Sequence, residues 1–462
     1  MNGPGLPPPR ELEGNLRRFI RFRLFFNARF YYPVFTILFL DYGLTLEQFS
    51  ILNLAWALTI VFAEVPSGAM ADIIGRKRLL VFASILMFIE MGLLVIVPIG
   101  TSPVLFLVFL INRICSGLAE AAASGADEAL AYDSLKALDR EDDWAGLLEK
   151  TTRVMSIGFF VTMIIGAFCY DPKVVNTVLG FFNDQWSLPP ETIIRLPIIL
   201  TLGTSFIVLW TTVRMREIEL PEEKNGEAVD QSKSLWQSIA QPFKQVIQAA
   251  GWTLNHRFVL FVILAALALD SVGRQFVILA SEYYRIIHIP PAWFGFIGAG
   301  MALLGLVIAR ISRYLVTHHS PIFNFLILSA ILMVGLIGIM FTIPWFGVLF
   351  AICAFSMMGM VNYQSSFYLN REVDSSRRAT VLSFRGLALN LGLGLASLLY
   401  TGLIAVMKAG EEGNLSPEEL QEHVFVGSLR AFPVYFLVLF FLILILGKLF
   451  IRRASICSEV PQ

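Results

Sequence analysis

Six ionisable side chains stand inside long apolar runs of this chain, and their types and spacing suit charge exchange. They are Arg29, Glu90, Arg113, Glu120, Asp270 and Arg274. An ionisable group at membrane depth costs about 2.5–3.5 kcal/mol on insertion scales, so each needs a partner or a task. Asp270 and Arg274 are spaced i, i+4 and meet on one helix face. They either neutralise each other as a bridge, or one partner exchanges onto a proton or solute. Arg113, Gly117, Glu120, Ser124 and Asp127 advance by three or four and share a face. Glu120 lies about two turns from Arg113, too far for pairing within the helix, which makes it the leading candidate to carry a proton. Glu90 reads as a hydrogen-bonded contact between helices. Three deep arginines lean toward an anionic or zwitterionic solute.

Neutral polar residues add a recognition surface. Asn27 precedes Arg29, and a later run turns polar at Asn362, Tyr363, Gln364, Ser365 and Ser366. Carboxamides facing a cavity suit a small polar or amphiphilic solute, while glue between helices is the equal alternative. Tyr31, Tyr32 and Phe276 could add stacking surface. Enzyme chemistry has no foothold, since neither G-x-S-x-G nor H-E-x-x-H occurs. The five histidines fall in loops, and no glycine-lysine phosphate loop points to ATP. Cys115, Cys169, Cys353 and Cys457 lack disulfide or metal-ligand spacing. The expectation is no enzyme, no cofactor and no metal.

The elements that position these residues are apolar helices. The chain is 56% hydrophobic, above the roughly 45–50% of soluble domains. Its runs are about 20 residues long, the length that crosses a core of about 30 Å. Spans are expected at 21–42, 47–67, 78–99, 103–125, 152–170, 196–213, 257–283, 293–316, 322–342, 345–368, 379–406 and 431–451. The fold class is thus an all-α membrane protein of twelve transmembrane helices in two pseudo-symmetric six-helix bundles. Residues 1–20 form a tail without the features of a cleaved signal peptide, and 21–213 the first bundle. Residues 214–256 are a linker, 257–452 the second bundle and 453–462 a second tail. The linker is amphipathic through Leu235, Ile239, Phe243 and Val246, with Pro242 interrupting it.

Charge is balanced, with 35 cations and 35 anions, yet unevenly placed. With the N-terminus inside, nearly all loop cations fall on the inner face. Only Lys173, Arg195, Arg285, Lys408 and Arg430 lie outside. Such a bias places both termini in the cytoplasm. The basic residues rim a bilayer, and no nucleic-acid partner is expected.

Between the second and third spans lies Gly68–Leu80, GAMADIIGRKRLL, where Gly75 permits a sharp turn and Arg76, Lys77 and Arg78 hold it inside. This run resembles the loop 2–3 signature of the major facilitator superfamily, and its lead-in EVPSG (Glu64 to Gly68) resembles that of many bacterial members. LINRICSGLAEA (Leu110 to Ala121) is similar to the family's arginine-plus-glycine pattern through Arg113 and Gly117. SGADEALAYDSL (Ser124 to Leu135) and RRATVLSF (Arg377 to Phe384) resemble the inner ends of spans 4 and 11.

The resemblance implies a secondary transporter working by alternating access, in which spans 1, 4, 7 and 10 line the cavity. It would place Asn27, Arg29, Arg113, Glu120, Asp270, Arg274, Asn362 and Gln364 beside the solute or proton. Asp72 would face the N-terminal end of span 11, and Arg76 or Lys77 would pair with Asp127, Glu128 or Asp133. With Glu64, Gly68 and Gly75 these would form a cytoplasmic gate that latches the outward-facing state. Span 5 carries Gly158 and Gly166 without the Gly-Pro pair of the family's drug/proton antiporters. The implied function is transport of a small organic solute across a cytoplasmic membrane, as in bacteria, by a monomer in a lipid bilayer. Proton-coupled export is slightly favoured. Proton-coupled uptake, facilitated exchange, and a channel or solute sensor on the same scaffold remain alternatives.

Overall fold

The computed structural model describes residues 7–218, 244, 246–248, 250–411 and 415–451, and no strand occurs among them. The first crossing differs from its expected form, because it is broken. Helix α1 (Pro9–Asn27) ends at Ala28, and a 3-10 turn (Tyr32–Val34) leads into α2 (Phe35–Asp41). Pro33 contributes to the interruption, since it has no N–H to donate one turn back to Arg29. α1 also starts well before residue 21. Pro9 occupies the first helical turn, where a missing N–H costs nothing. Leu12, Phe19, Phe22 and Phe26 then bury one face.

Eleven helical segments among the described residues are long and apolar enough to cross a membrane. With the broken first crossing they make twelve. In the first bundle these are α3 (Leu46–Ile74), α4 (Arg76–Ile96), α5 (Pro103–Ala123), α7 (Trp144–Tyr170) and α10 (Leu196–Val213). α5 turns at Gly125 and continues as α6 (Ala126–Lys136), and the short helices α8 (Pro172–Phe182) and α9 (Pro190–Ile193) precede α10. The second bundle holds α11 (Arg257–Ile286), α12 (Pro291–His318), α13 (Pro321–Ile339), α14 (Gly347–Glu372) and α15 (Ser375–Glu411). It closes with α16 (Pro417–Leu429) and α17 (Ala431–Ile451). Of the linker, Leu235, Ile239, Pro242 and Phe243 lie outside the described residues.

In a bilayer the helices gain little from leaving lipid, so close packing by small residues matters more. A Cβ on Gly117 of α5 would stand 2.9 Å from Thr59 Cβ and 3.2 Å from the Trp56 carbonyl oxygen of α3. A Cβ on Gly166 would run into the carbonyl of Phe30, so α7 packs directly against the break in the first crossing. Between bundles, α3 runs along α15 and α7 along α12. A Cβ on Gly295 would stand 2.8 Å from Ile164 Cα, which fixes how near α12 comes to α7.

The two ends of this interface differ. The face carrying the α3–α4 turn is called the hinge face. There a Cβ on Gly68 or Gly386 would meet nothing within 4 Å, and Phe62 and Ile73 are exposed. At the other face the bundles are joined. Among the described residues, every side-chain hydrogen bond or ion pair between the bundles lies at the face away from the hinge, and none at the hinge face.

Candidate functional site

The site is a cavity of about 340 Å³ at the bundle interface. Aromatic side chains form much of its wall, among them Tyr31, Tyr32, Phe35, Trp56, Tyr284 and Phe294. Asn53, Arg113, Ser116, Glu120, Arg274 and Ser281 supply the polar groups. The break in the first crossing matters here, because it directs Tyr31, Tyr32 and Phe35 inward from unwound backbone and the start of α2.

Arg113 is only 6% exposed. Its guanidinium lies over Phe35 at 5.2 Å and over Trp56 at 5.3 Å from the ring centroids. One nitrogen donates to Asn53 Oδ1 at 3.4 Å, and Nε has no partner. Among the described residues no carboxylate pairs with it. Glu120 follows on the same helix face, opens into the cavity, and its carboxylate has no partner among the described residues. The cavity thus holds a cation and an anion that do not neutralise each other directly.

Arg274 also lines the cavity, bridged to Asp270 on its own helix and donating to Asn390 Oδ1 at 3.0 Å on α15. Asp270 itself is buried behind Arg274 rather than on the cavity wall. Arg29 is not on the wall either. It is buried within the first bundle and bridged to Glu90, which is fully buried on α4. Its Nε donates to the Phe26 carbonyl at 3.3 Å, and Asn112 donates to the Glu90 carbonyl at 2.9 Å. The expected contact of Glu90 is therefore an ion pair with Arg29, two residues past the end of α1.

The carboxamides separate from the cavity as well. Asn27 is exposed and donates to the Arg23 carbonyl at 2.8 Å. Asn362 lies on a second, open recess of about 610 Å³ toward the hinge face and accepts from Arg385 at 3.1 Å. Gln364 is fully buried, with neither polar atom partnered.

At the hinge, Gly75 adopts φ +98°, a conformation that side chains rarely tolerate, and a Cβ there would also collide with the Glu217 carboxylate. Glu217 caps α4, accepting from the Arg76 and Lys77 backbone N–H groups at 3.0 Å each. The placement answers the partial positive charge of a helix N-terminus. The Arg76 side chain is bridged to Asp133 and donates to the Ala129 carbonyl at 3.1 Å. Asp127 and Glu128 bind Arg23 of α1 instead, the former at 3.1 Å. These pairs all lie within the first bundle. Glu64 is half-buried near this end, and the side chain of Asp72 lies outside the described residues.

The closed end has almost no signal in the sequence. Arg285 of α11 reaches Asp41 of α2 at 2.6 Å and Glu282 at 2.5 Å, while Tyr170 donates to Asp41 at 2.5 Å. Lys408 of α15 meets Glu47 of α3 at 3.3 Å. Asp171 accepts from the Ala292 backbone N–H at 3.2 Å, and Ser281 Oγ accepts from the N–H groups of Thr36 and Ile37 at 2.9 and 3.2 Å. Every one of these contacts crosses between bundles except Arg285–Glu282 and Tyr170–Asp41. Acidic and basic residues at span ends hint at them, with nothing to match one to another.

No group of three His, Cys, Asp or Glu among the described residues could hold a metal ion. The family profile of the Major Facilitator Superfamily matches residues 19–397. The chain belongs to the Major Facilitator Superfamily. Solved structures of major facilitator proteins share the fold. A bacterial homologue of the human lysosomal transporter Spinster, inward-facing and unoccupied, aligns with TM-score 0.66 at 15% identity, covering 97% of this chain and 99% of that one. The nucleoside transporter NupG aligns at 0.57 and 15% identity, covering 93% and 98%. A D-xylose-proton symporter aligns at 0.52 and 12% identity, covering 92% and 95%. A search of curated protein sequences finds no match. This major facilitator chain is thus a multi-pass membrane protein of a transporter family, with the family's two-bundle fold.

Proposed function

We propose that the protein is a monomeric, proton-coupled secondary transporter. It moves a small organic solute across a cytoplasmic membrane by alternating access, with the hinge face and both termini toward the cytoplasm. The observation that carries this reading is the shared cavity of Arg113 and Glu120, each without an ionic partner among the described residues. An ionised Glu120 disfavours a second anion in the same low-dielectric space, and a protonated one does not. Proton and anionic solute are then coupled through one cavity, and such coupling is reciprocal. Closure by ion pairs at one end, with no side-chain hydrogen bond or ion pair between bundles at the other among the described residues, supports one half of an alternating cycle. The excess of cations on the hinge face supports its cytoplasmic orientation.

The test begins with a thermal-shift screen of purified protein against metabolites and drugs to obtain a solute. Counterflow in proteoliposomes then distinguishes carrier from channel, since only a carrier shows trans-stimulated exchange. Glu120→Gln should keep exchange and lose accumulation driven by a pH gradient. Retained accumulation in that variant would remove Glu120 from the coupling.

A further inference from the structure

A second recess opens off the central cavity. It measures about 360 Å³, lies between α7, α12 and α14, and shares Phe159, Met163, Gly298, Met301 and Phe355 with the cavity. Past these residues it is lined by Ala302, Gly305, Ile308 and Ala309 on α12 and Gly359 on α14, mostly small side chains. Among the described residues no charged side chain lines it, and Tyr363 marks its hinge-side end. From Gly298 to Ala309 the helix rises about 16 Å. A Cβ on Gly305 would meet nothing within 4 Å, so the space above it is free.

The two volumes are continuous and chemically opposite. One holds a guanidinium, buried to 6% exposure, with an unpartnered nitrogen and no acidic partner among the described residues. Such a group is costly unless it finds an anion. The other is an apolar trough with no charged side chain among the described residues of its lining. A polar solute would satisfy the first and leave the second empty.

We infer that the solute is an amphiphile with a single anionic head, held at Arg113 between Phe35 and Trp56. Its unbranched apolar tail lies in the trough between α7, α12 and α14. The inference rests on the carrier reading but is tested by binding, which does not require transport. Gly305 then sets tail length, because a side chain there would enter open space in the trough.

The experiment uses full-length protein in lipid nanodiscs and calorimetric titration with butanoate, octanoate, dodecanoate and dodecyltrimethylammonium, with empty nanodiscs subtracted. Dodecanoate should bind at least about tenfold tighter than butanoate, because methylenes leave water on binding. In the Glu120→Gln variant, which leaves no free carboxylate in the cavity, dodecyltrimethylammonium should bind about tenfold weaker than dodecanoate, because its head meets Arg113. Gly305→Leu should abolish the chain-length gain and leave butanoate affinity unchanged, which also shows that the variant is folded. Equal affinity across chain lengths, or a gain that survives both Gly305→Leu and Gly359→Leu, overturns the inference. If counterflow succeeds on a short solute while chain length has no effect, the carrier reading stands and the tail site falls.

Discussion

Arg285 of the second bundle binds Asp41 of the first at 2.6 Å, and the same guanidinium holds Glu282 at 2.5 Å. This side chain is one of several that join the two halves at the closed end. Tyr170 steadies Asp41 from the opposite side. Opening that end requires Arg285 to leave Asp41, and the contacts Lys408–Glu47, Asp171–Ala292 and Ser281–Thr36 to part as well.

Asp41→Asn should therefore populate the state open away from the hinge face. Both partners are about a third exposed, so the pair contributes about 0.5–1 kcal/mol, a roughly two- to fivefold shift in population. Spin-label distances between residues near Glu47 and Lys408 would report it. An unchanged distance distribution would show that the small-residue packing at Gly295, and not the ion pair, holds this end shut.

Arg29 and Glu90 form a buried pair, and breaking it leaves a stranded charge. Glu90→Leu or Arg29→Met alone should cost about 3–5 kcal/mol, while the double substitution should recover most of the loss. Thermal melting of purified protein measures this. If each single variant melts like the parent, the pair is not structural.

Gly75→Ala should disable the hinge. The residue would be strained at φ +98° and would displace the Glu217 cap, for a cost of about 1–3 kcal/mol. Glu217→Gln, which keeps one acceptor but loses the charge at the α4 N-terminus, should cost about 0.3–1 kcal/mol. Melting temperature and exchange rate, measured on both variants, should rank in that order.

Arg113→Gln should weaken binding of an anionic solute by about tenfold or more while holding or raising the melting temperature, since a buried cation without an ionic partner costs stability. Isothermal titration against the solute found by screening reads the affinity. A large fall in stability would instead make Arg113 a structural member of the α3–α5 packing through Asn53 and Trp56.

Much of this architecture is legible because its causes are local along the chain. Apolar runs of bilayer length mark the crossings, and Asp270–Arg274 can be read as a bridge because i, i+4 geometry is fixed by the helix itself. The face shared by Arg113 and Glu120 follows from the same periodicity, and the structure sets both in one cavity. The break before α2 is less visible. Pro33 signals it, but an apolar stretch of the right length reads as one helix until the backbone is traced.

What escapes the sequence is every partner supplied by a distant segment. Arg29 and Glu90 lie 61 residues apart, Arg76 and Glu217 141 apart, and Asp41 and Arg285 244 apart. Arg29, expected at the cavity, instead serves Glu90, because the turn after α1 points it into its own bundle. By itself the sequence determined the number of crossings and the sharp turn at Gly75, set by hydrophobic length and backbone sterics. Only the tertiary structure decided which deep charges neutralise each other and which two, Arg113 and Glu120, remain facing the cavity. The reason is physical: burying a charge requires a partner, and which partner is within reach depends on how helices pack, not on where residues fall in the chain.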